Sequence, residues 1–87
     1  MNIYRIWQTE NICYDTFDSA VVIAESEDAA RKIHPFSSID DYQDSDEENW
    51  DLNGSWVPHP NMVSVMLIGV AKEGSERGVV CASFNAG

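Results

Sequence analysis

Seven carboxylates fall within the twelve residues from Asp40 to Asp51, and the chain carries no Lys or Arg between Ile33 and Ala71. A cluster of like charges this dense resists burial, because each carboxylate taken out of water needs a partner. The cluster lies within a longer stretch, about residues 35–61, that exceeds the ordinary length of a connection in a compact domain. We therefore predict an acidic surface insert between two better-defined parts of the fold.

The insert also contains aromatic residues, namely Phe36, Tyr42, Trp50 and Trp56. Disordered segments are poor in aromatic side chains, so we expect the insert to be mostly ordered, with some of these rings docked on the core. Ser45 begins a capping-box pattern, which favours a short helical turn near residues 46–51.

The residues before the insert begin with a predicted β-hairpin. Residues 2–8 and 16–24 are rich in β-branched and aromatic side chains, which favour strands. The short polar connection between them favours antiparallel pairing. Strict alternation in the second strand places Phe17 on the face of Val21, and Ala20 on the opposite face.

A short helix is predicted to follow the hairpin. Ser26 is a good N-cap, and Glu27 and Asp28 lie in the first turn, where the helix dipole favours acids. Pro35 disfavours helical geometry at His34, so the helix is expected to span about Glu27 to His34.

Two further strands are predicted after the insert. Residues 61–71 form a nearly continuous apolar run, which is typical of a central strand covered on both faces. Residues 78–84 predict a fourth strand, which the turn around Gly74 would pair antiparallel with the third. The expected fold is α+β, a single domain of residues 1–87 in which an antiparallel β-sheet carries one short helix, in the order β-β-α-acidic insert-β-β.

The charge balance excludes several kinds of partner. Fifteen acidic residues against five basic ones give a net charge of −10, which disfavours direct binding to nucleic acid or to anionic lipid. No apolar run approaches the length of a membrane span, and the first eight residues lack the pattern of a secretory signal. We expect a location inside the cell and, if the charge is used for binding, a basic protein partner.

Residues capable of metal binding are present, but their spacing is wrong for known motifs. Cys13, Cys81, His34 and His59 show no zinc-site spacing, and Cys81 in an apolar strand is expected to be a buried hydrophobe. Asp44, Asp46 and Glu48 alternate as in the first half of an EF-hand loop. The loop positions that require Gly and a bidentate Glu are instead Asn49 and Ser55. We expect neither a metal nor another cofactor.

Catalytic motifs are also missing from the sequence, so we do not expect an enzyme. Paired carboxylates can act as acid and base when one of them is desolvated, but a dense acidic cluster stays in solvent. The sequence contains no Gly-rich phosphate loop and no nucleophile elbow.

The acidic cluster is the strongest candidate for a binding site. A ridge of carboxylates can take the place of nucleic-acid phosphates in a groove lined by Lys and Arg, and Tyr or Trp side chains are favoured anchors of such interfaces. The predicted partner-binding residues are Asp40, Asp41, Asp44, Asp46, Glu47, Glu48, Asp51, Tyr42 and Trp50. The alternative is a solvated acidic loop that only confers solubility.

Two parts of the sequence resemble known proteins. Tyr4 to Pro35, which includes Y-R-I-W-Q-T-E-N and F-D-S-A-V-V-I-A-E-S-E-D-A-A-R-K-I-H-P, is similar to the start of small phage and prophage proteins, as is the ending G-V-V-C-A-S-F-N-A-G. Small size and acidity also resemble the anti-CRISPR and anti-restriction inhibitors, several of which mimic DNA. This resemblance implies a phage-encoded inhibitor, acting in the bacterial cytoplasm, that blocks DNA binding by a CRISPR effector or similar defence complex.

A second hypothesis is a phage accessory protein that does not inhibit and binds other proteins through an apolar sheet edge or the Trp-bearing loop. Either a monomer or a homodimer is compatible with the sequence, because an exposed edge strand can pair across a dimer axis.

Overall fold

The computed structural model describes residues 1–12, 14–43, 50–51 and 54–85, and it confirms the small α+β fold. The elements are β1 (Asn2–Trp7), β2 (Thr16–Ala24), α1 (Glu27–Arg31), a 3₁₀ turn (Pro60–Met62), β3 (Ser64–Val70) and β4 (Gly78–Asn85). The strands form one antiparallel sheet in the order β3-β1-β2-β4. Within the described ranges, no helix is both long and apolar enough to cross a membrane.

The predicted hairpin of β1 and β2 is confirmed, with Asn2 opposite Ala24 and Trp7 opposite Ser19. The predicted pairing of β3 with β4 is wrong. β3 pairs with β1 and β4 pairs with β2, so the two later strands occupy opposite edges of the sheet.

The prediction that β3 is a central strand covered on both faces is also wrong. Met66, Leu67 and Ile68 are each about half exposed, and Val70 is 77% exposed. β4 is similarly open, and its Cys81 is exposed rather than buried, because it lies opposite Val21, on the face of the sheet that points away from the core.

Helix α1 begins as predicted and ends earlier. The Ser26 hydroxyl accepts a hydrogen bond from the Ala29 N–H at 3.1 Å, which is the expected N-cap geometry. The helix stops at Arg31, and the chain then runs through the buried His34 and Pro35 into the insert. One helix of five residues covers little of a four-stranded sheet, so the remaining cover has to come from elsewhere.

The aromatic side chains of the insert supply that cover. Tyr42, Trp50 and Trp56 are 5%, 3% and 0% exposed and belong to the same core as Ile6 and Val22 of the sheet. Two of these rings form a series of contacts with His34. The ring centroids of His34 and Trp50 lie 5.2 Å apart, and those of Trp50 and Tyr42 lie 5.6 Å apart. The expectation that these rings dock on the core is confirmed, and the insert is therefore part of the second layer of the fold.

Candidate functional site

The described beginning of the acidic segment, defined here as residues 40–51, is held against the sheet by one arginine. Arg77, just before β4, forms ion pairs with Asp41 and with Glu25, whose carboxylate lies 3.3 Å from the Arg77 Nε. The Tyr42 N–H also donates to the Lys32 carbonyl at 2.8 Å. These contacts fix where the acidic segment leaves the body of the protein.

The acidic surface extends beyond the segment that the sequence singles out. Glu25 and Asp28 line the same shallow groove as Asp41, and Glu27 is exposed in the first turn of α1. The sequence pattern indicated only a helix-terminal role for Glu27 and Asp28. The available signal was their closeness in sequence, since only residues 32–39 lie between the end of α1 and the acidic segment.

Two basic side chains only partly balance this surface. Lys32 lies 3.6 Å from Asp28, and Arg77 is shared between Glu25 and Asp41. Asp40 is exposed and has no ion pair among the described residues. The described part of the surface therefore carries an excess of negative charge, even without counting the remaining carboxylates of the acidic segment.

Asp51 has a different environment from the other carboxylates. Its side chain is 5% exposed, and it accepts hydrogen bonds from the Trp56 N–H at 3.0 and 3.2 Å. Its Oδ1 also lies 2.9 Å from the His34 Nε2. Asp51 therefore fastens the far end of the acidic segment to the core, and in this conformation its carboxylate does not face a partner.

His34 is held as the neutral tautomer that suits this role. The Phe36 N–H donates to the His34 Nδ1 at 3.0 Å, so Nδ1 carries a lone pair and Nε2 carries the proton that is donated to Asp51. Burial lowers the pKa of His34 below its ordinary value of 6.5, and this outweighs the opposing effect of Asp51. Both ring nitrogens of His34 are therefore engaged within the protein.

This arrangement predicts a pH dependence of stability. Because the pKa of His34 is lowered in the folded protein, the unfolded chain binds more protons below about pH 6.5, and the free energy of unfolding falls as the pH is lowered through that region. Urea denaturation from pH 7.5 to 5.0 should show this loss. The His34→Gln variant, which has no titrating ring, should lack that part of the dependence, and equal slopes for the two proteins would contradict the prediction.

Tyr42 and Trp50, predicted as partner-binding residues, lie in the core of the folded protein. Because they are buried, their rings do not contribute to the surface that a partner meets. They pack the insert against the core. Asp44, Asp46, Glu47 and Glu48 lie outside the described residues, as do most of the predicted helical turn at 46–51 and the alternating carboxylates compared with an EF-hand.

The three nominal zinc ligands that the structure describes do not converge. His34 is committed to Asp51, His59 accepts from the Asn61 N–H and packs against Tyr42, and Cys81 is exposed on β4. Cys13 lies outside the described residues. In the part of the chain that the structure describes, no three His, Cys, Asp or Glu side chains are grouped as metal ligands.

The described residues therefore carry an excess of negative charge, and the two described ends of the acidic segment are tied to the aromatic core. Such a surface can attract cations and basic side chains over a distance. In comparisons with protein-family models, curated proteins and solved structures, no match to this chain was found.

Proposed function

We propose that this protein is a phage-encoded inhibitor that binds the nucleic-acid-binding groove of a bacterial defence complex, such as a CRISPR effector, through its acidic surface. The observation that carries the proposal is the concentration of carboxylates within twelve residues, six of them besides the buried Asp51, in a segment that begins beside the exposed acids of α1. In this proposal the protein acts in the cytoplasm of the host, needs no cofactor and catalyses no reaction.

The electrostatic argument follows from how such grooves bind DNA. Lys and Arg side chains that neutralise phosphates gain affinity from counterion release, and carboxylates at similar density draw on the same driving force. Opposite potentials also accelerate the encounter of the two proteins. An inhibitor of this kind competes with DNA and acts stoichiometrically.

The anchoring of the acidic segment supports the proposal. The backbone of Tyr42 is bonded to Lys32 at one end, and Asp51 is bonded to Trp56 and near His34 at the other. A segment with both ends fixed loses less conformational freedom on binding than a free acidic tail does. The core aromatic rings thus contribute to binding indirectly, by holding the two described ends of the segment in place.

The test is displacement of labelled target DNA from a purified, guide-loaded CRISPR effector. The protein should release the DNA at one copy per effector, and its affinity should fall at least tenfold between about 50 and about 200 mM salt. Excess unlabelled DNA should in turn release the protein. If the protein binds the effector with the same affinity at both salt concentrations and in the presence of excess DNA, the acidic surface is not what binds.

A second candidate function is a phage accessory module that binds proteins without inhibiting a nucleic-acid-binding complex. The exposed apolar edge strand β3 favours it, because its sequence SVMLIGV contains no charge and no proline to protect the edge from pairing. Pairing of β3 with β3 of a second copy would extend the sheet across a two-fold axis. Such an association would resist salt and persist with DNA present, which distinguishes it from the first candidate.

A further inference from the structure

An aromatic cleft opens where the start of β2 meets the end of β4, on a part of the molecule that the proposed function does not use. Its volume is about 440 Å³, and it is lined by Asp15, Phe17, Phe36, Ser55 and Phe84. The chain closes this end of the sheet through a hydrogen bond from the Asp15 N–H to the Asn85 carbonyl.

Three phenylalanine rings form the cleft. Phe17 is 9% exposed, whereas Phe36 and Phe84 are 45% and 48% exposed. The centroid of Phe17 lies 4.8 Å from that of Phe84 and 6.4 Å from that of Phe36, with the rings tilted by 52° and 42°. Phe17 therefore packs between two rings that remain open to solvent, although burial of each would be favourable.

The cleft also carries a carboxylate that the protein itself does not neutralise. Asp15 is exposed, and within the described ranges no Lys, Arg or His forms an ion pair with it. None of the five lining residues is basic. Aromatic faces and a carboxylate both attract cations, so the cleft favours a positively charged group.

We propose that this cleft binds the guanidinium group of an arginine from the protein's partner. A guanidinium is planar and weakly hydrated, so it can stack on a phenylalanine face while its N–H groups reach a carboxylate. A wholly apolar occupant would make no use of the Asp15 carboxylate. A phosphate would be repelled by the same carboxylate.

The inference rests on the proposed function for the source of the arginine, since a DNA-binding groove is rich in such side chains. The recognition itself depends only on the cleft. Arginine is among the residues enriched at protein interfaces, and an arginine held in a cleft of this kind would add orientation to the diffuse attraction of the acidic surface.

The test uses N-acetyl-arginine amide as the probe and follows the aromatic ring resonances of the protein by NMR. The arginine probe should bind with millimolar affinity and shift the resonances of Phe36 and Phe84. N-acetyl-citrulline amide, which has the same length and planar end group but no charge, should bind at least fivefold more weakly. Equal binding of the two probes, or no shift of these rings, would overturn the proposal.

Variants separate the cleft from the acidic surface. Phe84→Leu keeps apolar bulk but removes a ring, and Asp15→Asn removes the charge while keeping a residue that tolerates the positive φ of 60° found at this position. Each should weaken binding of the arginine probe at least threefold without lowering the melting temperature by more than a few degrees.

Charge reversal of Asp44, Glu47 and Glu48 should leave binding of the arginine probe within twofold of the wild-type value. The proposed function fails if that variant still displaces DNA, whereas the cleft proposal fails if Phe84→Leu binds the probe as the wild type does. Ring shifts that depend on protein concentration, in the absence of any probe, would show a second copy in the cleft and would also overturn the proposal.

Discussion

Replacing Asp51 with alanine is expected to lower the free energy of unfolding by about 2–5 kcal/mol. The Asp51 carboxylate is 5% exposed, accepts from the Trp56 N–H and lies 2.9 Å from the His34 Nε2. Alanine leaves two buried donors without an acceptor. For a chain of 87 residues, whose total stability is of the order of 4–13 kcal/mol, this is a large loss that urea denaturation at pH 7.5 should measure.

Asp40→Ala provides the matched control, because Asp40 belongs to the same acidic segment and is exposed. Its effect on the free energy of unfolding should stay within about 0.5 kcal/mol. Asp51→Asn should lie between the two, since its amide oxygen can still accept one hydrogen bond. If Asp51→Ala and Asp40→Ala unfold at the same urea concentration, Asp51 does not anchor the segment.

The distinction between these two aspartates shows where sequence patterns stop being informative. The sequence pattern does not distinguish one carboxylate of the segment from another, so it predicts Asp51 as a binding residue together with the others. Its environment depends on His34, seventeen positions away, and on the Trp56 backbone. The local sequence does not mark Asp51, because a carboxylate is buried only where the fold supplies partners for it.

The sheet order could not be predicted for a related reason. The hairpin of β1 and β2 and the N-cap at Ser26 are local features, and both were predicted. The partners of β3 and β4 are not local, because residues 71–77 are long enough for a tight hairpin and also for a crossing of the sheet. An extended chain of that length reaches ~23 Å, whereas β3 and β4 are separated by three strand spacings, about 14 Å.

A bulge explains why the predicted face of Phe17 is wrong. Strict alternation places Phe17 with Val21, away from the core. The register between β2 and β4 shifts between Phe17 and Ser19, and Asp18 is the exposed extra residue. Phe17 is therefore buried on the face of Ala20, where it becomes the middle ring of the aromatic cleft.

Reversing the charge of Asp44, Glu47 and Glu48 to lysine is expected to weaken binding to a guide-loaded effector by at least about a hundredfold. Each reversal replaces an attraction by a repulsion, and a loss of only about 1 kcal/mol at each of three positions gives a factor of this size. Displacement of labelled target DNA at about 50 mM salt measures the effect where screening is weak.

The matched control reverses Glu10, Asp18 and Glu73, which are exposed and lie outside the acidic segment. Both triple variants have the same net charge, so a difference between them reports where the charge lies rather than how much there is. The control should retain binding within about fivefold, because distant exposed charges are screened. An equal loss of affinity in both variants would mean that net charge alone attracts the partner. The acidic segment would then not be the interface.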